Sequence, residues 1–309
     1  MTPQPLPRRS AVVILLVLGV VFGANHVAAR IAFDHGVGIT TAVLMRSGLT
    51  ALVLWGLVVR QGLRAGVGSL PMGWMLLLGG LIALQSLCLY SAVARIPVAL
   101  ALLVFNTMPA LYALLTWALG GRRPSGKSLL CMGLILLGLG LALDVLTGLF
   151  SASALRMGAQ VGTGIALGFC AASTMACALW ITENRLPKVP GAVRSLWAMG
   201  LVFVCMLAVA LGDTGLLPGG AAWPRDNIGW AALIVLVVFY GSAFSIWFVL
   251  MPRLDMARNA SFMNIEPIAA LVLAWLLLGQ TLNSWQLAGV GVVVSGIVLL
   301  ARLPKPQAT

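Results

Sequence analysis

Ten apolar runs, each close to the length that crosses a bilayer, dominate this sequence and leave few folds open to it. A hydrocarbon core takes about 20 apolar residues per helix. The runs lie near 11–30, 40–59, 72–93, 98–119, 127–146, 161–182, 193–212, 228–250, 257–278 and 285–301, bounded by charges, Pro or Gly clusters. Each is long and unbroken, whereas barrel strands alternate at every second residue, so helices are expected. Composition agrees. Of 309 residues, 61% are hydrophobic and 8% charged, against roughly 25% charged in soluble chains. Too few polar side chains are present to coat a water-facing surface, so an all-α integral membrane protein with ten transmembrane helices is expected.

The formal net charge of +12 does not point to nucleic acid, because the 19 Lys and Arg occur in ones, twos and threes between apolar runs. That is how a polytopic chain sets its orientation. With the N-terminus inside, fourteen of them fall on cytoplasmic segments, four (Arg30, Arg95, Arg156, Arg225) on outer loops, and Arg46 within a span. The bias predicts a multi-pass protein of the cell inner membrane with both termini cytoplasmic. Trp55, Trp74, Trp117, Trp197, Trp230, Trp275 and Trp285 lie near run ends, as an interfacial aromatic belt would. The leader MTPQPLPRRS enters the first run with no small-residue cleavage site, and is read as preceding a retained span. The five Cys lie inside apolar runs without C-x-x-C spacing and there are two His, so no metal and no cofactor is expected.

An internal duplication narrows the fold further. Shifting 95–141 by 158 onto 253–299 leaves 12 of 47 positions identical. Arg95 meets Arg253, Asn106 meets Asn264, Pro109 meets Pro267 and Trp117 meets Trp275, so NTMP corresponds to NIEP. The unit holds five runs. An odd number makes the second copy enter from the opposite side, a recurring plan of secondary transporters. The expected organisation is a first five-helix repeat over 1–157 and a second over 158–309.

The chain resembles the EamA family of the drug/metabolite transporter superfamily over nearly its whole length. The resemblance rests on the ten runs in two halves, on FGANHVAAR (22–30), on MRSGLTALVLW (45–55), and on the paired RIPVALALLVFNTMPALYALLTWALGG (95–121) and RLDMARNASFMNIEPIAALVLAWLLLGQ (253–280). It implies two inverted five-helix repeats around a central cavity, moving small metabolites by alternating access. Members often carry Gly-Glu after helices four and nine, where this chain has Gly121-Arg122 and Gly279-Gln280.

Candidate site residues follow from polar groups inside spans. Glu266 is the only carboxylate deep in one, and such a placement costs about 2.5–3.5 kcal/mol on translocon scales. Two readings stay open: a proton or substrate-amine site, and a neutral acid tying two helices together. Asn106 and Asn264 each stand three residues before Pro109 and Pro267, whose missing N–H frees a carbonyl one turn back, at Phe105 and Met263. Both are read as kink support. Residues 264 and 266 are roughly 200° apart on a helix, so Asn264 and Glu266 do not share a face, whereas Asn259 does share that of Glu266. Tyr112 lies on the matching face of the fourth run. Arg46 is expected to snorkel to the outer interface, with a counter-ion for a substrate carboxylate as the sharper reading. His26 is read as a packing histidine first and a proton shuttle second. Gln85 should face another helix or the cavity, and Tyr240 heads an aromatic face with Phe244 and Trp247.

These readings converge on a secondary active transporter, an exporter of amino acids or related small metabolites, with proton coupling through Glu266 as the finer expectation. The alternative is a facilitative or exchange carrier for another metabolite or drug. Direct ATP drive is not expected, on the reading that no loop of the G-x-x-x-x-G-K-[ST] type is present. Nor is an enzyme: it would need clustered His, Asp, Ser or Cys near one interface, and His26, His35 and Asp34 on the outer side are too thin a trio. The expected partners are a small-molecule substrate and the lipid bilayer, with no nucleic acid; a monomer is compatible with the sequence.

Overall fold

A computed structural model describes residues 6–62, 71–121, 125–142, 154–212, 220–250, 253–254 and 265–302. Among these the regular elements are all helices: α1 (Arg8–Asp34), α2 (Ile39–Arg60), α3 (Met72–Val93), α4 (Val98–Phe105), α5 (Met108–Ala118), α6 (Gly126–Ala142), α7 (Ala154–Asn184), α8 (Gly191–Leu211), α9 (Asn227–Leu250), α10 (Ile265–Leu278) and α11 (Ser284–Arg302). Among the described residues, seven helical segments are long and apolar enough to cross a membrane, with α4 and α5 together making one of them, Val98–Ala118. Leu129–Ala142 and Ile265–Leu278 are shorter apolar helices.

Proline sets several starts. Pro7, Pro71, Pro97 and Pro190 stand immediately before α1, α3, α4 and α8. There the missing N–H is one the first turn leaves unpaired in any case. Side chains are distributed inside out. Leu137, Leu211 and Trp285 are 68%, 78% and 70% exposed, while Asn25, Ser47 and Thr50 are fully buried. An apolar wall around a partly polar interior is what lipid selects, since hydrocarbon costs apolar groups nothing and leaves polar groups unpaired.

Packing joins the front of the chain to the back. α1 packs on α9 and α10, and α7 on α3, α4 and α5. α2 packs on α8 and α9, α8 on α3 as well, α4 on α10, and α6 on α11. Exchange α1 with α7, α2 with α8, α3 with α9, the α4–α5 pair with α10, and α6 with α11, and this set of pairings maps onto itself. Glycine makes the closest of them possible. A Cβ at Gly23 of α1 would lie 2.8 Å from the Glu266 carbonyl and 3.0 Å from the Ala270 nitrogen of α10. A Cβ at Gly138 of α6 would lie 2.8 Å from the Val293 nitrogen of α11. Both helix pairs therefore touch backbone to backbone, as small residues allow in membranes.

Candidate functional site

The polar interior gathers where α1, α2, α3, α9 and α10 meet. On α1, Asn25 and His26 are adjacent and both buried. The Asn25 amide donates to the Leu236 carbonyl of α9 at 2.7 Å, and its oxygen accepts from the Tyr90 hydroxyl of α3 at 3.0 Å. That hydroxyl in turn accepts from Arg46 of α2 at 3.1 Å, while a second guanidinium nitrogen donates to Ser86 at 2.6 Å. The guanidinium carbon lies 4.6 Å from the Tyr90 ring centre and 4.1 Å from that of Tyr240 on α9. Tyr240 stacks on Phe244 at 5.4 Å and meets Phe22 edge-on at 6.4 Å. On the other flank of Tyr90, whose ring centre is 5.8 Å from that of His26, the His26 Nε2 is 3.4 Å from a Glu266 oxygen. Phe22, Tyr240, Phe244 and Glu266 form a half-buried rim over a buried floor of Asn25, His26, Arg46 and Tyr90.

Two polar atoms of that floor, His26 Nδ1 and Arg46 Nε, have no hydrogen-bond partner among the described residues. A guanidinium carries five N–H donors, of which the bonds above use two. No carboxylate lies within ion-pair distance of Arg46 among the described residues, and Glu266 pairs with His26 instead.

Two sequence expectations change here. Arg46 does not snorkel: it is 4% exposed, because phenol, hydroxyl and ring faces inside the bundle give its head more than one turn of chain toward the interface would. His26 is not grouped with His35 and Asp34. Nine residues separate it from His35, about 13 Å along a helix, and its partner is Glu266. Tyr240, a site candidate in the sequence, has its ring against Arg46. Gln85 is buried, and its oxygen is 3.4 Å from the Ser86 hydroxyl. Asn25 and Ser86 were not singled out by sequence, although the rule that flagged Gln85, a polar group inside an apolar span, applies to them equally.

The remaining candidates lie apart. Tyr112 of α5 hydrogen-bonds Glu183 at the end of α7, with that bond exposed. The fourth span breaks between Phe105 and Met108, with Pro109 in the first turn of α5. The Asn106 amide donates to the Leu102 carbonyl at 2.8 Å, and not to Phe105, so it closes the end of α4. Pro267 is buried in the first turn of α10. Asn259 and Asn264 lie outside the described residues. Gln280, at a family Glu position, accepts from the Val98 N–H at 3.2 Å and caps α4 across the two halves. Residues 121–128, GRRPSGKS, do fit the G-x-x-x-x-G-K-[ST] spacing, which corrects the expectation that it is absent. A phosphate-cradling loop follows a strand, whereas this segment follows helix α5, and residues 122–124 are outside the described set.

On the expected outer side, the α1–α2 turn is fastened to the segment before α9. His35 Nδ1 is 2.6 Å from Asp226, Arg225 N–H donates to the His35 carbonyl at 3.1 Å, and Gly38 N–H to the Ala222 carbonyl at 2.9 Å. The Gly229 N–H, 2.7 Å away, and then the His35 ring hold the Asp226 carboxyl below its ordinary value.

Comparison with known proteins places this geometry. The model of the EamA-like transporter family matches the chain twice, over residues 9–143 and 159–302. An uncharacterized transporter of Synechocystis is 30% identical over 222 residues, 72% of this chain and 64% of that protein. The quaternary ammonium compound-resistance protein QacE of Escherichia coli is 32% identical over 75 residues, 24% of this chain and 68% of that protein. The chain thus matches less than two thirds of the length of the Synechocystis relative. A crystal structure of another protein superposes on 96% of this chain and 99% of its own with a TM-score of 0.63 at 19% identity, a likeness of fold. With helices of membrane-spanning length and two matches that together take in nearly all of its residues, the chain is a multi-pass membrane protein and belongs to the EamA-like transporter family.

Proposed function

We propose that this transporter exports amino acids or related zwitterionic metabolites by alternating access, in exchange for protons. One observation carries the reading: the site holds a cation and a carboxylate and keeps them apart. If both were structural, pairing them would be the cheapest arrangement, since unpaired ions in a low-dielectric interior are costly. Instead Arg46 offers unused N–H donors on one side of Tyr90, and the Glu266 side chain, 21% exposed, lies beside His26 on the other. A substrate carboxylate takes the first pole and its ammonium the second.

The direction follows from competition. A proton and a substrate ammonium both claim the Glu266 carboxylate, so each excludes the other. An inward proton gradient then drives substrate outward. Two five-helix halves of opposite threading, with both termini cytoplasmic, suit such a cycle; the fourteen-to-four charge bias and the pairings that survive exchange of the halves support that arrangement. A second reading, a carrier of quaternary ammonium compounds, draws on the likeness to QacE and on Glu266 beside aromatic rings.

A thermal-shift screen of the purified protein tests the zwitterion reading, because a ligand of the native state raises its apparent stability. Free amino acids should raise the melting temperature and their carboxamides, which lack the charge for Arg46, should not. Equal shifts from acid and amide, or none from any amino acid, would contradict it.

A further inference from the structure

We infer that Arg46 is the residue that bars permanent cations from this site, by occupying from within the aromatic faces such a cation needs. Its guanidinium carbon lies 4.1 Å from the Tyr240 ring centre and 4.6 Å from that of Tyr90. Those are cation–π distances, within about 6 Å of the centroid. Two aromatic faces and a nearby carboxylate are the parts from which a quaternary-ammonium site is built, and here one of the chain's own side chains fills the space between them. Arg46 is anchored there by Tyr90 and Ser86, so a ligand cation does not displace it at the cost of a mere rotamer change. It also sets the charge. Arg46 is the formal cation that stands opposite Glu266; without it the same walls surround the Glu266 carboxylate with His26 beside it.

This deepens the zwitterion reading and rests on the same cluster, but it fails or stands on a different measurement. The probes are benzyltrimethylammonium, a permanent cation, and phenylacetate, a carboxylate of similar shape. Both are titrated calorimetrically into the full-length protein in detergent. The wild type should bind phenylacetate in preference to the cation. Arg46→Gln should bind the cation about tenfold or more tighter than the wild type does, and Arg46→Gln/Tyr240→Leu should lose that gain. A cation affinity unchanged by Arg46→Gln, or a gain that survives loss of the Tyr240 ring, would overturn the inference. Phenylacetate failing to bind the wild type while Arg46→Gln still gains the cation would sink the carboxylate reading and leave this one standing. Arg46→Ala repeats the test with more room should the Gln variant not fold. Should neither fold, the wild type decides: rejection of the cation supports the inference, and binding as tight as that of phenylacetate overturns it.

Discussion

At the contact of α1 with α10, Gly23 lets the backbone of Glu266 and Ala270 come against α1, and His26, three residues on, meets the Glu266 carboxylate. At its counterpart, where α7 meets α4 and α5, Gly168 lies against Val104 and Ala101, Met108 stands at the repeat position of Glu266, and the buried residues of α7 include Ala171, Ala172 and Ala176. The two contacts share a plan, a glycine of α1 set against α10 and a glycine of α7 set against α4. They do not share chemistry. The pairings are common to both halves; one copy of this contact carries the His26–Glu266 pair among buried residues, and the other an exposed Tyr112–Glu183 hydrogen bond at its end.

This contrast can be broken experimentally, and the largest effect should come from the glycines. At Gly23 the added methyl meets backbone atoms at 2.8 and 3.0 Å, whereas at Gly168 it meets Val104 Cγ1 and Cβ at 2.9 and 3.1 Å, with the nearest backbone atom of α4 at 3.9 Å. Gly23→Ala should lower stability by about 1–3 kcal/mol, the range for overpacking a tight contact, and Gly168→Ala by clearly less, as read from thermal unfolding in detergent. Equal losses would mean that the two contacts are equally tight.

Next come the phenols. Tyr90→Phe removes the hydroxyl shared by Asn25 and Arg46, leaving the Asn25 oxygen and one guanidinium nitrogen without that partner, a loss of about 1–3 kcal/mol for buried polar groups left unpaired. Tyr112→Phe breaks an exposed bond to Glu183 and should stay within about 0.5 kcal/mol of the wild type. A Tyr90→Phe variant as stable as Tyr112→Phe would remove the network from the account.

The smallest effect separates the two corners. His35 follows α1 and pairs with Asp226; Arg185 follows α7 and lies 4.8 Å from the Trp74 ring and 5.6 Å from the Trp180 ring. Because the Asp226 carboxyl is depressed, its contribution is complete above the ordinary Asp value and is lost as pH falls through the lowered one. Hydrogen exchange of amides 35–38 and 220–229 should therefore speed up below about pH 4 ahead of amides 185–190, which are held through Arg185 over the Trp74 and Trp180 rings. Simultaneous loosening would show that Asp226 does not hold its corner.

Most of the helical frame was legible in the sequence because spans are set by length and hydropathy. The run at 72–93 is helix α3 residue for residue, and 98–119 differs from the structure in the break at Asn106–Thr107 that the NTMP motif announced. The site was legible in fragments. Glu266, Gln85 and Arg46 stood out as polar groups in apolar runs, but which groups meet depends on which helices pack. His26 and Glu266 are 240 positions apart and come together through the α1–α10 contact, which no local spacing encodes. For the same reason Arg46 read as a snorkelling cation: Tyr90, Ser86 and Tyr240 come from α3 and α9, and the sequence of α2 does not mention them.

The central claim is that Glu266, set against His26 and apart from Arg46, exchanges a proton for substrate. Efflux of a bound amino acid from proteoliposomes, followed with and without an imposed pH gradient, tests it in wild type and in Glu266→Gln. The account predicts that the gradient accelerates wild-type efflux and that the variant loses this acceleration by about tenfold or more, at least about 1.4 kcal/mol of coupling. A Glu266→Gln protein that still answers the gradient as the wild type does would contradict it.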